Sequence, residues 1–276
     1  MVRPVDLSAH INDDVQRGGP ANFPVALRPV FYNGAEDPKE IPDRLAVVRE
    51  DTGRALAVVS SRYVLVPHQR ILDVVHEATK NLDVGPVPRG IYVDRAGARM
   101  RSVFKFPSVT EEIEPKDEIC PCLKIQNTYD GKSRVTIHLG AFRFVCTNLA
   151  VGGGGVFAGG FMAVHAGEIP IERVAEDLGT YLGRFSGIVA TYRSWADQVV
   201  AREEVERLMS ELPRKTLAAI QNALPSTSEF TVYQAYNAAT WYATHCTRSA
   251  RIAFDLLDRI NYTFQQEFPP PSGVLR

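Results

Sequence analysis

Three kinds of residue in this chain could do chemistry. Cys120 and Cys122 form a Cys-Pro-Cys, and Cys146 with His138 or His165 could complete a four-ligand zinc site. Zinc pairs usually have two to four residues between the thiols, so one intervening proline fits poorly. Buried free thiols are the simpler reading of these cysteines and of Cys246. Carboxylates cluster at Glu111, Glu112, Glu114, Asp117 and Glu118, which reads as a solvated acidic loop. His165 precedes Gly167-Glu168, and His245 stands next to Cys246 on an expected helix, where neighbouring side chains point apart. No Gly-x-Ser-x-Gly elbow and no His-Glu-x-x-His helix occurs. The residues therefore assign no catalytic group, no metal and no cofactor.

The glycines are the second kind. Gly152, Gly153, Gly154 and Gly155 are consecutive, with Gly159 and Gly160 close behind. A phosphate-binding loop needs a lysine after its glycines, at the start of a helix. Here Phe161 stands where that lysine is needed, and no lysine occurs between Lys132 and Lys215. The dinucleotide fingerprint also needs a helix, whereas "FMAVHAG" reads as a strand. The run is expected to be a pliable loop between strands, with Val156 and Phe157 free to dock on a partner or a neighbouring subunit.

Basic residues on strands are the third kind. Successive side chains of a strand point to opposite faces. In "RMRSVFKF", Met100, Phe104 and Phe106 share one face while Arg99, Arg101 and Lys105 share the other. Leu123 and Ile125 oppose Lys124; Val135, Ile137 and Leu139 oppose Arg134 and His138. Arg143 is placed outward as well, with Phe142 and Phe144 inward. If the hairpins form one sheet, its outer face carries Arg99, Arg101, Lys105, Lys124, Arg134 and Arg143. A net charge of −1 does not conflict with a local basic face, because the acidic residues of 108–118 are segregated between the hairpins. Six phosphate contacts there would give a salt slope of about −4 on single strands.

These residues need elements to position them. A hairpin is expected around Asp51-Thr52-Gly53, a helix opened by Pro67, a hairpin turning at Arg95 to Ala98, and a third from Ile119 through Asp130-Gly131 to Cys146. From Pro170 the pattern becomes helical, with a break near Gly183 to Gly187 and further helices after Pro213 and "PSTSEF"; the helix in "SEFTVYQAYNAATWYATHCT" is expected to begin with serine and threonine caps. The expected fold class is α+β: a mostly antiparallel curved sheet crossed by a helix, followed by a helical C-terminal half. Residues 1–167 would form the strand-rich core, and residues 168–276 a helical region packing on it or mediating assembly. At 45% hydrophobic and 23% charged residues, composition is that of an ordinary globular chain. No apolar run reaches membrane length and the N-terminus lacks a signal-peptide core, so a cytoplasmic location and no membrane partner are expected.

"VVSSRYVLVPHQRILDVV", "IQNTYDGKSRVTIHLGAFRFVCTN" and "YQAYNAATWYATH" resemble, in order, the landmarks of the phage- and plasmid-encoded family called domain of unknown function 932. The most specific block holds Asn127, Tyr129-Asp130-Gly131 and Arg143 to Asn148. Family members commonly have a glycine right after Cys-x-Asn; here Leu149 follows and the glycines come at 152–155. The resemblance implies a mobile-element setting. A fold-level analogy with ring-forming single-strand annealing proteins adds an expectation of a homo-oligomer that binds single-stranded DNA without sequence preference and anneals it. A structural or host-interaction protein is the alternative, and a metal-dependent enzyme using the cysteines is the third reading.

Overall fold

A computed structural model describes residues 21–34, 37–80, 82, 84, 89–144, 149–150, 160–247 and 249–271. The chain opens with an antiparallel three-stranded sheet: β1 (Val25–Asn33), β2 (Pro38–Arg49) and β3 (Arg54–Ser60), in that spatial order. The turn between β2 and β3 is where Asp51-Thr52-Gly53 predicts it, and Gly53 takes the positive φ of 67° that such a turn favours. This sheet closes on its own small core of Phe23, Val47, Val59, Tyr63 and Tyr129.

Helix α1 (His68–Lys80) follows Pro67. Its Ile71, Leu72, Val74, Val75 and Ala78 recur at helical spacing and are buried. The four larger ones contribute about 2 kcal/mol each by leaving water, which makes this stripe the reason the helix docks. Then come β4 (Arg89–Asp94), β5 (Arg99–Lys105), β6 (Glu111–Glu114), β7 (Asp117–Thr128), β8 (Val135–Arg143), β9 (Leu149–Ala150) and β10 (Gly160–Ala163). They build a second antiparallel sheet with the path β10-β8-β7-β5-β4. The acidic segment expected as a loop is instead a tight hairpin, because β6 pairs back on β7, turning at Pro115-Lys116 with Lys116 at φ 68°.

Helices α2 (Arg173–Gly183) and α3 (Phe185–Asp197) break at Arg184, as the glycines there suggested. The chain then departs from the expected helix. Strand β11 (Val199–Ala201) interrupts it, pairs with β12 (Glu229–Thr231), and encloses α4 (Arg202–Leu208) and α5 (Arg214–Ala223). Helices α6 (Val232–His245) and α7 (Ala250–Glu267) complete the fold. The threonine expected to cap α6 does so. Thr231 Oγ1 accepts from the Gln234 amide at 3.1 Å while Gln234 Oε1 accepts from the Thr231 amide at 3.0 Å. Thr231→Ala is expected to lower stability by about 1 kcal/mol in urea unfolding; an unchanged midpoint would show that the box contributes nothing.

The strand-rich part and the helices share one hydrophobic core, running from Ile71 and Leu123 to Trp195, Tyr236 and Phe264. Both faces of the large sheet are covered. Asn127, paired across from Met100, reaches His68 at the start of α1, so α1 lies on the Met100 face. Lys124, paired with Val103 and His138, meets Asp258 on α7, so α7 lies over the charged face. The fold is α+β with antiparallel sheets and its helices concentrated in the C-terminal half. An open outer face on the large sheet is the expectation that fails, because amphipathic helices bury their apolar stripes against it.

Candidate functional site

The six basic residues expected to share an open face divide sharply by environment. Arg99, Arg101, Lys105 and Lys124 are buried, with Lys124 only 2% exposed. Each buried cation has an internal neighbour. Arg99 bonds Asp130 at 2.7 Å, across the Thr128–Arg99 end of the β5–β7 ladder. Burial pushes the Asp130 carboxyl up, but the bonds from Arg99 and from the Lys132 amide outweigh it and hold that carboxyl below its usual range. Arg101 donates to Asp94 at 3.2 Å, leaving its Nε and Asp94 Oδ1 buried without a partner. Lys124 pairs with Asp258 and lies 5.0 Å from the Phe254 ring. Lys105 sits 4.2 Å from the centroid of Phe142 and has no ion pair among the described residues. Burial pulls Arg101, Lys105 and Lys124 below their ordinary values, and Asp94 and Asp258 offset part of this for Arg101 and Lys124.

Arg143 is also corrected in orientation. The ladder from Gln126↔Thr136 to Ile119↔Arg143 runs without a bulge. Strict alternation along it puts Phe142 with His138 and sends Arg143 to the other side of the strand. There its guanidinium makes a two-pronged bond to Asp117, Nε to Oδ1 and Nη2 to Oδ2, both 2.6 Å, and lies 5.6 Å from the Tyr233 ring of α6. Asp117 is buried, with 6% of its side chain exposed. Such geometry fixes the end of β8 against the start of β7 and points toward α6.

Of the six, Arg134 alone is exposed. It stands just before β8 and lines two adjoining clefts. One, of about 550 Å³, lies between Val58 and Ser60 on β3, the Asp130–Arg134 turn and Val164–Ala166. The other, of about 680 Å³, follows β10 toward Arg173 and Tyr181. Lys132, Arg134 and Arg173 are all exposed, and none of the three is ion-paired among the described residues. Asp130 in the first cleft is neutralised by Arg99, whereas Glu168 and Asp177 add negative charge to the second. Lys132 and Arg173 were missed by strand alternation because they stand in a turn and on a helix.

The block most specific to the resemblance is a buried network. Asn127 Nδ2 donates to the Val66 carbonyl and to His68 Nδ1, each at 2.9 Å, which leaves His68 Nε2–H to donate to Gly97 O at 2.9 Å. The Tyr129 hydroxyl accepts from the His68 amide at 2.7 Å, and the two rings stack at 3.9 Å. Burial is the main cause that brings His68 down to about 3, so its ring is neutral. A side chain at Gly97 is strained: its φ is +110°, and a Cβ would stand 2.6 Å from the Phe23 ring, which would have to shift. These residues join the small sheet, α1 and the large sheet. His68 carried no sequence signal beyond its place after Pro67.

Cys120 and Cys122 are free and buried; burial pushes the first thiol up to about 12 and the second well above its ordinary value. Among the described residues no three histidine, cysteine or acidic side chains gather as a metal site. Cys146, the glycines 152–155 and Phe157 lie outside the described residues. Among the described residues no helix is long and apolar enough to cross a membrane.

A family model described as Domain of unknown function (DUF932) matches residues 55–261, well over half of the chain. No curated protein and no solved structure matches.

Proposed function

The chain belongs to the domain of unknown function 932 family, and we propose that it is a nucleic-acid-binding protein of a mobile genetic element. It holds single-stranded DNA by the phosphates, without reading sequence, and as a homo-oligomer promotes annealing in recombination or replication. The observation that supports this is the set of three exposed cations, Lys132, Arg134 and Arg173, around the two clefts that meet at Arg134. Unpaired surface cations beside a groove attract a phosphate chain through counterion release, and grooves of this kind track a backbone. The partly buried Phe161 on β10 offers apolar surface beside them. The four buried cations of the large sheet support the fold in this reading and touch no strand.

The test is fluorescence anisotropy of a labelled single strand of about 40 nucleotides, against a matched duplex, at two salt concentrations. Three phosphate contacts give an expected slope of log affinity on log salt of about −2 for the single strand. Changing Lys132, Arg134 and Arg173 together to alanine is expected to remove most of that slope without lowering thermal stability. No salt-sensitive binding by the wild-type chain would discard this reading.

A second reading, a structural or host-interaction protein, rests on a different surface. The β1–β2 ribbon extends past the last residue that β3 pairs with, and there Phe31 and Tyr32 are 56% and 50% exposed. A projecting ribbon with adjacent bare aromatics suits a protein partner.

A further inference from the structure

At the far end of β8 from Arg134, a separate cleft of about 600 Å³ opens between α5 and α6. Its walls are small and apolar: Ala219, Ala223 and Pro225 on one side, Ala238 on the other. Trp241 is 39% exposed at this cleft, although α6 buries most of its other large side chains. Three carboxamides line the same space, Asn222, Gln234 and Asn237. Among the described residues of the lining the one charge is Arg143, and Asp117 already neutralises it through two 2.6 Å bonds.

That chemistry selects a ligand class. A neutralised guanidinium gives no net field to draw in an anion, so phosphate or carboxylate is not what the cleft favours. Small side chains on facing helices leave a slot, and an exposed indole beside it offers a stacking face. Carboxamides both donate and accept, which suits the edge of a planar, uncharged ring carrying the same groups. We infer that this cleft binds a nucleobase, stacked on Trp241 with its polar edge toward Asn222 and Asn237. The inference needs no contact with the Lys132–Arg134–Arg173 groove. If the strand-binding reading holds as well, the base is one drawn from the bound strand.

Gln234 is well placed for this role. Its Oε1 is committed to the Thr231 amide by the capping box, so the carboxamide has a fixed orientation at the cleft. Two of the three sequence blocks that carry the family resemblance, Arg143 with its strand and the Tyr233–His245 segment, therefore converge on one cavity.

The experiment is calorimetric titration of the full chain with deoxyadenosine and deoxycytidine, which carry no phosphate, together with Trp fluorescence. Trp195 is fully buried and bonded to the Phe268 carbonyl, so a ligand-dependent change reports Trp241. Saturable binding is expected, insensitive to salt. Trp241→Ala should weaken it by about ten-fold or more. Ala219→Trp, which fills the slot from α5, should abolish it while the thermal midpoint holds. The inference is overturned by no saturable signal at millimolar nucleoside, or by equal affinity in both variants. Oligonucleotide binding without nucleoside binding would discard the nucleobase site and leave the strand reading standing. Nucleoside binding without oligonucleotide binding would support the site and discard the strand reading.

Discussion

Arg143→Ala is expected to lower the free energy of unfolding by about 3 kcal/mol, because it strands the buried Asp117 carboxylate. Removing one member of a buried ion pair costs about 3–5 kcal/mol. The low end applies because 18% of the Arg143 side chain is exposed, so water can reach part of the vacated site. Asp117→Asn is expected to cost less, since a neutral amide needs no counter-charge. The double variant should cost clearly less than the sum of the two, with a coupling of about 2 kcal/mol in urea unfolding. The result bears on function directly. If Arg143 were an exposed phosphate ligand, its loss would weaken DNA binding at constant stability. A variant with unchanged midpoint and lost binding would return Arg143 to the nucleic-acid interface.

Acidification is expected to have the second large effect, through His68. Its imidazole is held neutral in the folded chain, down to about 3, against about 6.5 in an unfolded one. Above pH 6.5 neither state binds the proton and stability is at its full value. Between about 6.5 and 3 the unfolded chain takes up a proton that the folded chain refuses, so stability falls as pH falls. At about 1.4 kcal/mol per unit, a drop from pH 6.5 to pH 4.5 removes about 2–3 kcal/mol from this residue alone. Burial depresses His165 and His138 in the same direction, so they add to the loss. His68→Gln should start less stable, because Gln cannot reproduce both ring bonds, and should show a flatter pH dependence over that window. An equal slope in wild type and variant would remove His68 as the cause. The network it belongs to has further reason to be sensitive: Asn127 Oδ1 is buried without a partner.

Much of the architecture could be read from local chemistry. Turn residues placed the β2–β3, β4–β5 and β7–β8 connections, and Pro67 with a helical stripe placed α1. The break at Arg184 and the Thr231 cap were also visible, because each is settled by the conformational needs of a few neighbouring residues. The β6 hairpin and the β11–β12 pair were not visible. Both are short, and β12 is called into being by a partner about thirty residues earlier in the chain.

Strand parity by itself put Arg99, Arg101 and Lys105 on the face of β5 opposite Met100 and Phe104, and Lys124 on the face of β7 opposite Leu123; the β5–β7 register makes the two cationic faces one. Period-2 alternation is a property of the backbone and needs no tertiary information. Whether that face meets water is decided by what packs on it. Lys124 finds Asp258 134 residues later, and nothing local to either residue announces the pair. Tertiary structure thus turned an apparent phosphate-binding face into an internal one and left Arg134, beside Lys132 and Arg173, as its exposed remnant. It also brought Arg143 and Trp241 to one cavity, because helix docking is driven by total apolar area buried, summed over segments that sequence order keeps far apart.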